Sequence, residues 1–249
     1  MTRLVALFAL LLGCVSPGIV AATECRTESY HGNTYAICEV DLTSEQLELF
    51  LADPNGNIFG YFGNVDAALK ERGLSLGFAT NAGMYHEDRS PVGHYLENGQ
   101  EIQRVIPDAG PGNFGLLPNG VLCLRENRAD VFETGDFLKQ APRCRSATQS
   151  GPMLVINGNL HPRFLINSTS RYIRNGVGTS PDGKRAVFAI SDSPVTFYEF
   201  GSLFRDHLAM SNALYLDGNI SRLRAPDLDR NGIGFTQLGP IIGVVEAAK

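Results

Sequence analysis

Short apolar runs separated by glycine- and proline-containing turns follow one another along the chain, and this pattern predicts many short β-strands. Residues 34–42 and 47–51 form the first two runs, and Leu76 to Thr80 form a buried strand that ends at Asn81. Further strands are predicted at residues 147–150, 153–156, 176–179, 186–191 and 213–216, and a strand-like C-terminal segment at 233–245, interrupted at Gly239-Pro240.

Turn sequences between these runs predict three β-hairpins. One joins residues 112–117 to residues 120–124 around Pro118-Asn119-Gly120. The second turns at Asn157-Gly158, and the third turns at Pro181-Asp182-Gly183.

Helical periodicity occurs in two segments. Val65, Ala68 and Leu69 share one face of a helix predicted over residues 65–72, which Asn64 would cap and Gly73 would end. Residues 202–211 carry an apolar face at helical spacing and predict a second helix. Many strands with few helices predict an α+β fold: a single domain with a mixed, mainly antiparallel sheet and a few packed helices.

The N-terminus has the pattern of an export signal. Arg3 supplies the positive start, Leu4 to Leu12 supply an apolar run shorter than the about 20 residues of a spanning helix, and Val20-Ala21-Ala22 supplies a cleavage site. The alternative is a lipid anchor at Cys14, because Leu11-Leu12-Gly13-Cys14 resembles a lipobox. We predict a signal peptide over residues 1–22, one domain over residues 23–249, no transmembrane segment, and a periplasmic or secreted location.

Four cysteines remain after that cleavage, and an even number in an oxidising compartment predicts two disulfides. Three pairings are possible, and the sequence alone does not choose between them. We favour Cys25–Cys38 and Cys123–Cys144 because these pairs close short loops.

Charge and composition narrow the function classes. The chain has 249 residues, 43% of them hydrophobic, which suits one globular domain. The formal net charge is −5 and no run of five basic residues occurs, so a nucleic-acid partner is not expected. No spacing typical of metal ligands is found, and we predict neither a metal site nor a cofactor.

Glycine-flanked polar residues follow four of the apolar strands. These segments are Asn81-Ala82-Gly83, Ser150-Gly151-Pro152, Arg174-Asn175-Gly176-Val177-Gly178 and Asp217-Gly218-Asn219-Ile220-Ser221. Loops at strand ends often hold reactive groups, and glycine lets the backbone approach a ligand. Each segment alone is also ordinary turn chemistry, so the argument depends on all four together.

The order and approximate spacing of these segments resemble the phosphodiester glycosidase family. Asn81 to Tyr85 is similar to the family's Asn-x-Gly-aromatic motif, and residues 150–152, 174–178 and 216–221 are similar to its later motifs. The resemblance covers about residues 75–243. Met84 and Asn219 depart from the family pattern, which usually has an aromatic residue and a glycine at these positions.

The resemblance implies an exported hydrolase that cleaves the glycosidic bond of a sugar phosphodiester, such as an N-acetylglucosamine-1-phosphodiester, within envelope or other glycans. In the catalytic group, Asp217 would be the nucleophile or general base, Arg174 would hold the phosphate, and Asn81 would hydrogen-bond the sugar or phosphate. Predicted substrate-binding residues are Gly83, Tyr85, Ser150, Gly151, Gly178, Asp192, Gly218, Asn219 and Ser221. The alternatives are a non-catalytic exported protein that binds sugar phosphates or cell-wall glycans, and a structural envelope protein without a site.

Overall fold

A computed structural model describes residues 23–248 of the chain and, at position 219, the backbone alone. The predicted signal peptide, the possible lipid anchor at Cys14 and the side chain of Asn219 therefore lie outside what is described. No helix within residues 23–248 is long and apolar enough to cross a membrane.

The described strands form three sheets. The first has the order β1-β2-β13-β12-β14-β10-β11. Its strands are β1 (Glu24–Tyr30), β2 (Asn33–Asp41), β10 (Met153–Ile156), β11 (Asn159–Leu160), β12 (Asn175–Thr179), β13 (Arg185–Ser191) and β14 (Asn212–Tyr215).

The second sheet has the order β16-β15-β4-β17-β3, and the third has the order β6-β5-β9-β7-β8. The second contains β3 (Gln46–Phe50), β4 (Leu74–Asn81), β15 (Leu223–Ala225), β16 (Arg230–Asn231) and β17 (Ile241–Ala247). The third contains β5 (Tyr95–Glu97), β6 (Gln100–Gln103), β7 (Gly120–Arg125), β8 (Arg128–Glu133) and β9 (Ser146–Ser150).

The predicted α+β class with a mainly antiparallel sheet is confirmed. The ladders between the described strands are antiparallel, and the strands are divided among three sheets. Strongly twisted open sheets rarely exceed about ten strands before they split into packed sheets, which accounts for the division. Buried side chains from all three sheets, among them Phe78, Leu122 and Phe188, share one core.

Within residues 23–248, three α-helices lie against the sheets: α1 (Phe62–Lys70), α2 (Thr134–Gln140) and α3 (Phe197–Ser202). The first predicted helix begins at Phe62, so Asn64 lies inside it and donates from Nδ2 to the Phe59 carbonyl oxygen at 2.7 Å. Gly73, with a φ of 72°, follows its end as predicted.

The second predicted helix begins five residues earlier than expected, at Phe197, and continues as a π-helical turn over Leu203–His207. Its start is set by a capping box. The Thr196 hydroxyl accepts from the Glu199 backbone N–H, and the Glu199 carboxylate accepts from the Thr196 backbone N–H.

The hairpin predicted for residues 112–117 and 120–124 is wrong. β7 pairs with β8 through a turn that contains Asn127 at a φ of 53°, whereas residues 112–117 form turns. Buried Asn119 accounts for the difference, because its side chain holds the Phe114 carbonyl and the Thr134 hydroxyl instead of turning a hairpin.

Both favoured disulfides are confirmed. Cys25 and Cys38 are register partners on β1 and β2. Cys123, in the centre of β7, is bonded to Cys144 in the segment that follows α2.

Candidate active site

Three of the four polar segments meet where β4, β12 and β14 come together. β12 and β14 are antiparallel, so the start of β12 at Asn175 lies beside the end of β14 at Tyr215. The last residue of β4, Asn81, contacts Asn175 and the segment that follows β14. The tertiary structure thus brings Asn81, Arg174 and Asp217 together where the ends of these three strands meet.

A buried network of amide side chains connects these strand ends. Asn81 is fully buried, and its Oδ1 accepts from the Arg222 backbone N–H at 3.0 Å and from Asn175 Nδ2 at 3.1 Å. The Ser221 hydroxyl donates to Asn175 Oδ1 at 3.2 Å. Sequence reasoning included Asn81 and Ser221 but overlooked Asn175, whose position directly after Arg174 was the available signal.

Asp217 is fixed by its backbone. Its N–H donates to the Ala82 carbonyl at 3.2 Å, and its carbonyl accepts from Asn81 Nδ2 at 2.6 Å. The side chain is half-buried, and its charge acts on two tyrosines. Burial and then the Asp217 charge raise the pKa of Tyr85 to about 12. This carboxylate therefore lies at the site beside phenol hydroxyls that remain protonated at neutral pH.

Arg174 is almost fully buried, with 1% of its surface exposed. Its Nε donates to the Val195 carbonyl at 2.8 Å, and its Nη2 donates to the Ser170 carbonyl at 3.2 Å. The guanidinium lies 3.6 Å from the Phe197 ring centroid and 5.5 Å from those of Tyr172 and Tyr215. Its Nη1 is buried without a hydrogen-bond partner.

The environment of Arg174 has a direct electrostatic consequence. Burial lowers the pKa of Arg174, and the neighbouring Tyr215 and Tyr172 act in the opposite direction. An arginine remains protonated in proteins in spite of such a shift. The site thus contains a desolvated cation whose Nη1 has no hydrogen-bond partner within bonding geometry, although the Tyr215 side chain lies beside the guanidinium.

Tyr215 connects the two charged residues, and sequence reasoning did not find it. Burial raises the pKa of Tyr215 to about 12, while the Arg174 charge lowers it and the Asp217 charge raises it. A Cβ added at Gly218 would lie 1.6 Å from the Tyr215 hydroxyl oxygen, so glycine is needed there. The signal available in the sequence was its position, since Tyr215 ends the apolar run directly before Leu216-Asp217.

Tyr85 is the second tyrosine that the Asp217 charge influences. Its ring packs on Gly239, where an added Cβ would lie 2.4 Å from Tyr85 Cγ, and the Arg89 guanidinium is 5.5 Å from the ring centroid. The Arg222 charge also acts on the Tyr85 hydroxyl. Arg89 and Arg222 were not predicted, since neither lies in a recognisable motif.

Gly83, Ser150 and Gly151 border the site through packing. A Cβ at Gly83 would lie 2.4 Å from the Gln149 carbonyl oxygen, and one at Gly151 would lie 2.7 Å from Asn119 Cβ. Ser150 is fully buried, with an unpartnered hydroxyl. The Ser150-Gly151-Pro152 segment contacts β14, because the Pro152 carbonyl accepts from the Tyr215 N–H at 3.1 Å.

Two predicted binding residues are placed differently. Gly178 lies inside β12, where an added Cβ would meet Met210 Cγ at 2.5 Å, so it lies in the core under the π-helical turn. Asp192 is exposed and paired with Arg230. The preceding residue, Ser191, contacts Arg174 instead, because its hydroxyl accepts from the Arg174 backbone N–H at 3.0 Å.

The acidic and histidine side chains that the structure describes include no group of three or more arranged to hold a metal ion. The side chains at the site are the Asp217 carboxylate, a buried guanidinium and two phenols that are protonated at neutral pH. A carboxylate together with a buried guanidinium is a combination suited to cleaving a bond to a phosphorylated group.

Known proteins resemble this chain in sequence or in fold. The family model described as phosphodiester glycosidase matches residues 75–244. The chain is 34% identical over 204 residues to uncharacterized protein YigE of Escherichia coli strain K12, covering 82% of this chain and 79% of that protein.

Two solved structures share the fold. The zebrafish N-acetylglucosamine-1-phosphodiester alpha-N-acetylglucosaminidase catalytic domain, auto-inhibited by its pro-peptide, has a TM-score of 0.60 at 14% identity, over 93% of this chain and 85% of that one. A hypothetical protein from Synechocystis has a TM-score of 0.57 at 12% identity, over 90% of this chain and 62% of that one.

The fold and the site therefore define an α+β protein with a carboxylate and an arginine at its strand ends. The chain belongs to the phosphodiester glycosidase family.

Proposed function

We propose that the protein is a hydrolase that cleaves the glycosidic bond of a sugar phosphodiester, with an N-acetylglucosamine-1-phosphodiester as the model substrate. The buried Arg174 guanidinium, with Nη1 unpartnered, is the observation that carries the proposal. A desolvated planar cation with an available donor favours a phosphate oxygen, because charge-assisted hydrogen bonds are strongest away from water.

The leaving group explains why an arginine matters more than a strong general acid. A phosphodiester leaves as an anion that is already stable, so it needs its negative charge held more than it needs a proton. Arg174 would bind this phosphate, with Tyr172 at the entrance, since its ring is 60% exposed and lies near the guanidinium.

Asp217 would act at the anomeric carbon. Glycosidases use a carboxylate either as the nucleophile or as the base that activates water, through an oxocarbenium-like transition state. Asp217 suits both roles because the backbone contacts to Ala82 and Asn81 fix its position.

Asn81 would act as a positioning residue. Its side chain is fully buried and already bonded to Asp217, Asn175 and Arg222, so it would orient the Asp217 segment without touching the substrate. Tyr85 would border the sugar subsite next to Asp217.

We also propose that the protein works in the periplasm or outside the cell. Two disulfides support this location, because such bonds persist in oxidising compartments. The basic start and short apolar run of residues 1–22 are consistent with export.

The test is hydrolysis of a chromogenic-alcohol phosphodiester of N-acetylglucosamine, with release of free sugar as the readout. Asp217→Asn should lower turnover at least about a thousandfold, since a lost nucleophile or base is not replaced. Arg174→Lys should raise KM and lower kcat, because lysine keeps the charge without the planar fork. Exposed Asp227→Asn and Arg163→Ala are the matched controls and should behave as wild type.

Thermal unfolding of every variant separates loss of chemistry from loss of fold. A well-folded Asp217→Asn protein with wild-type turnover would refute the catalytic role. If the wild type cleaves neither this compound nor a small panel of related sugar phosphodiesters, the protein is a non-catalytic binding protein instead, and direct binding of those compounds would show it.

A further inference from the structure

A separate cavity of about 290 Å³ lies beside α3 and the hairpin formed by β1 and β2. Tyr30, Tyr35 and Tyr198 line it, together with Asn33 and Ser202. None of its lining residues belongs to the four polar segments. Tyr30 and Tyr198 are half-buried, so each leaves part of its ring open to a ligand.

The Tyr35 hydroxyl is the polar group at the inner wall of this cavity. Tyr35 is fully buried, and its hydroxyl has no hydrogen-bond partner within bonding geometry, although the Asn33 side chain lies beside it. Leaving a buried hydroxyl unpaired is costly, and buried polar groups in proteins are generally satisfied by protein, water or ligand. Burial raises the pKa of Tyr35 to about 12, so the group is a donor at neutral pH.

The two carboxylates at the rim do not make the cavity a cation site. Glu199 accepts from Arg171 Nη2 and from the Thr196 backbone N–H, both at 2.8 Å. Asp206 accepts from Arg205 through both oxygens, at 2.6 and 2.8 Å. Arginine thus already compensates both charges, which favours an uncharged ligand.

The size and surface chemistry together indicate the ligand class. Small-molecule pockets typically span about 300–1,000 Å³, so this cavity is at the lower limit and suits one small ring. Open tyrosine rings offer an apolar surface, while Tyr35, Asn33 and Ser202 offer hydroxyl and amide groups around it. A pyranose has a matching apolar face with a rim of hydroxyls.

We propose that this Tyr30–Tyr198 cavity is a second saccharide-binding site that holds a neutral hexopyranose unit of a glycan. It is distinct from the candidate active site but shares α3 with it. Phe197 of α3 stacks on the Arg174 guanidinium, and its neighbour Tyr198 lines the cavity. The proposal does not depend on hydrolysis at Asp217.

The test is saturation-transfer-difference NMR on the full mature protein. The probes are the methyl pyranosides of glucose, galactose, mannose and N-acetylglucosamine, with affinities measured by titration. Tyr198→Ala and Tyr30→Ala should each weaken binding roughly tenfold, because each removes a stacking surface. Leu138→Ala, a change at an exposed apolar residue on α2, is the control and should leave affinity unchanged.

Tyr35→Phe is the most discriminating variant. It keeps the ring and removes one donor, so affinity should fall roughly three- to tenfold. If Tyr35 only fills the core, the same change would leave affinity unaltered and would leave the melting temperature equal or higher, since an unpaired hydroxyl is removed.

Asp217→Asn distinguishes this proposal from the proposed function and should bind the pyranosides as the wild type does. If binding is lost in Asp217→Asn but kept in Tyr198→Ala, the sugar occupies the candidate active site and the second-site proposal is wrong. The absence of saturation transfer to all four pyranosides would also overturn it.

Discussion

The Tyr215 hydroxyl occupies the space that a side chain at Gly218 would need. An added Cβ at Gly218 would lie 1.6 Å from that oxygen, well inside contact distance. The glycine after Asp217 is therefore needed for packing against a phenol, and this contact links the Asp217 segment to the surroundings of Arg174.

Replacing that glycine tests the relationship. Gly218→Ala should destabilise the protein by about 1–3 kcal/mol, as overpacking does, and should also lower hydrolysis by displacing Tyr215. The matched control is Gly63→Ala in α1, where an added Cβ meets nothing within 4 Å and alanine should stabilise the helix. Chemical denaturation of both variants measures the two free energies of unfolding. Equal stabilities would contradict the packing argument.

Tyr215→Phe removes the hydroxyl and keeps the ring, so it tests the hydroxyl alone. The change should lower kcat roughly tenfold with little change in KM, because the hydroxyl lies under the influence of both Arg174 and Asp217 and would position them. Unfolding free energy should change by less than about 1 kcal/mol. Tyr61→Phe, which removes a hydroxyl that donates to the Phe235 carbonyl at 3.2 Å, is the control. Wild-type kinetics in Tyr215→Phe would exclude the positioning role.

Asn81→Ala tests the buried amide network. Three hydrogen bonds are lost at a fully buried residue, so we expect a loss of about 2–4 kcal/mol in unfolding free energy. Exposed Asn55→Ala should change it by less than about 0.5 kcal/mol. Urea titration followed by circular dichroism provides both values, and a similar result for the two variants would show that the network is not stabilising.

Asp66 provides a pH-dependent prediction. Burial opposes ionisation of this residue, but the Leu76 backbone N–H at 2.9 Å and the Lys70 ammonium outweigh it and lower the pKa of Asp66. A carboxyl whose pKa is lower in the folded protein stabilises the fold above its unfolded pKa, and this contribution is lost as pH falls through the folded value.

The variant Asp66→Asn should therefore be less stable than the wild type at pH 7, and the difference should shrink as the pH falls below about 4. Urea titrations at pH 7, 5 and 3 provide the comparison. Exposed Asp227→Asn should show no such trend, and a constant difference for Asp66→Asn across this range would contradict the assignment.

Strand positions could be predicted because they depend on local periodicity. Leu76 to Thr80 and Ala213 to Leu216 are uninterrupted apolar runs, and both are buried strands or strand ends in the structure. The predicted hairpin at residues 112–117 and 120–124 was wrong because of tertiary contacts. Asn119 looks like a turn residue in the sequence, but its side chain is fully buried and bonded to Phe114 and Thr134.

The candidate site was predictable only as separate motifs. Asn81, Arg174 and Asp217 could be identified because their polar, glycine-containing segments resemble the motifs of the phosphodiester glycosidase family. Asn175 and Tyr215 lie next to these motifs, but their roles could not be predicted, since those roles depend on contacts across β4, β12 and β14. Gly178 and Asp192 were predicted to bind substrate, whereas in the structure Gly178 packs against Met210 and Asp192 pairs with Arg230.

The sequence by itself determined the α+β class, the number of cysteines available for pairing and the chemical groups at the strand ends, because each depends on residue type and local spacing. The tertiary structure alone decided that Arg174 is enclosed by aromatic rings and that Tyr215 lies between it and Asp217. Burial and proximity between residues about 40 positions apart depend on how the strands pair, and no local pattern encodes that pairing.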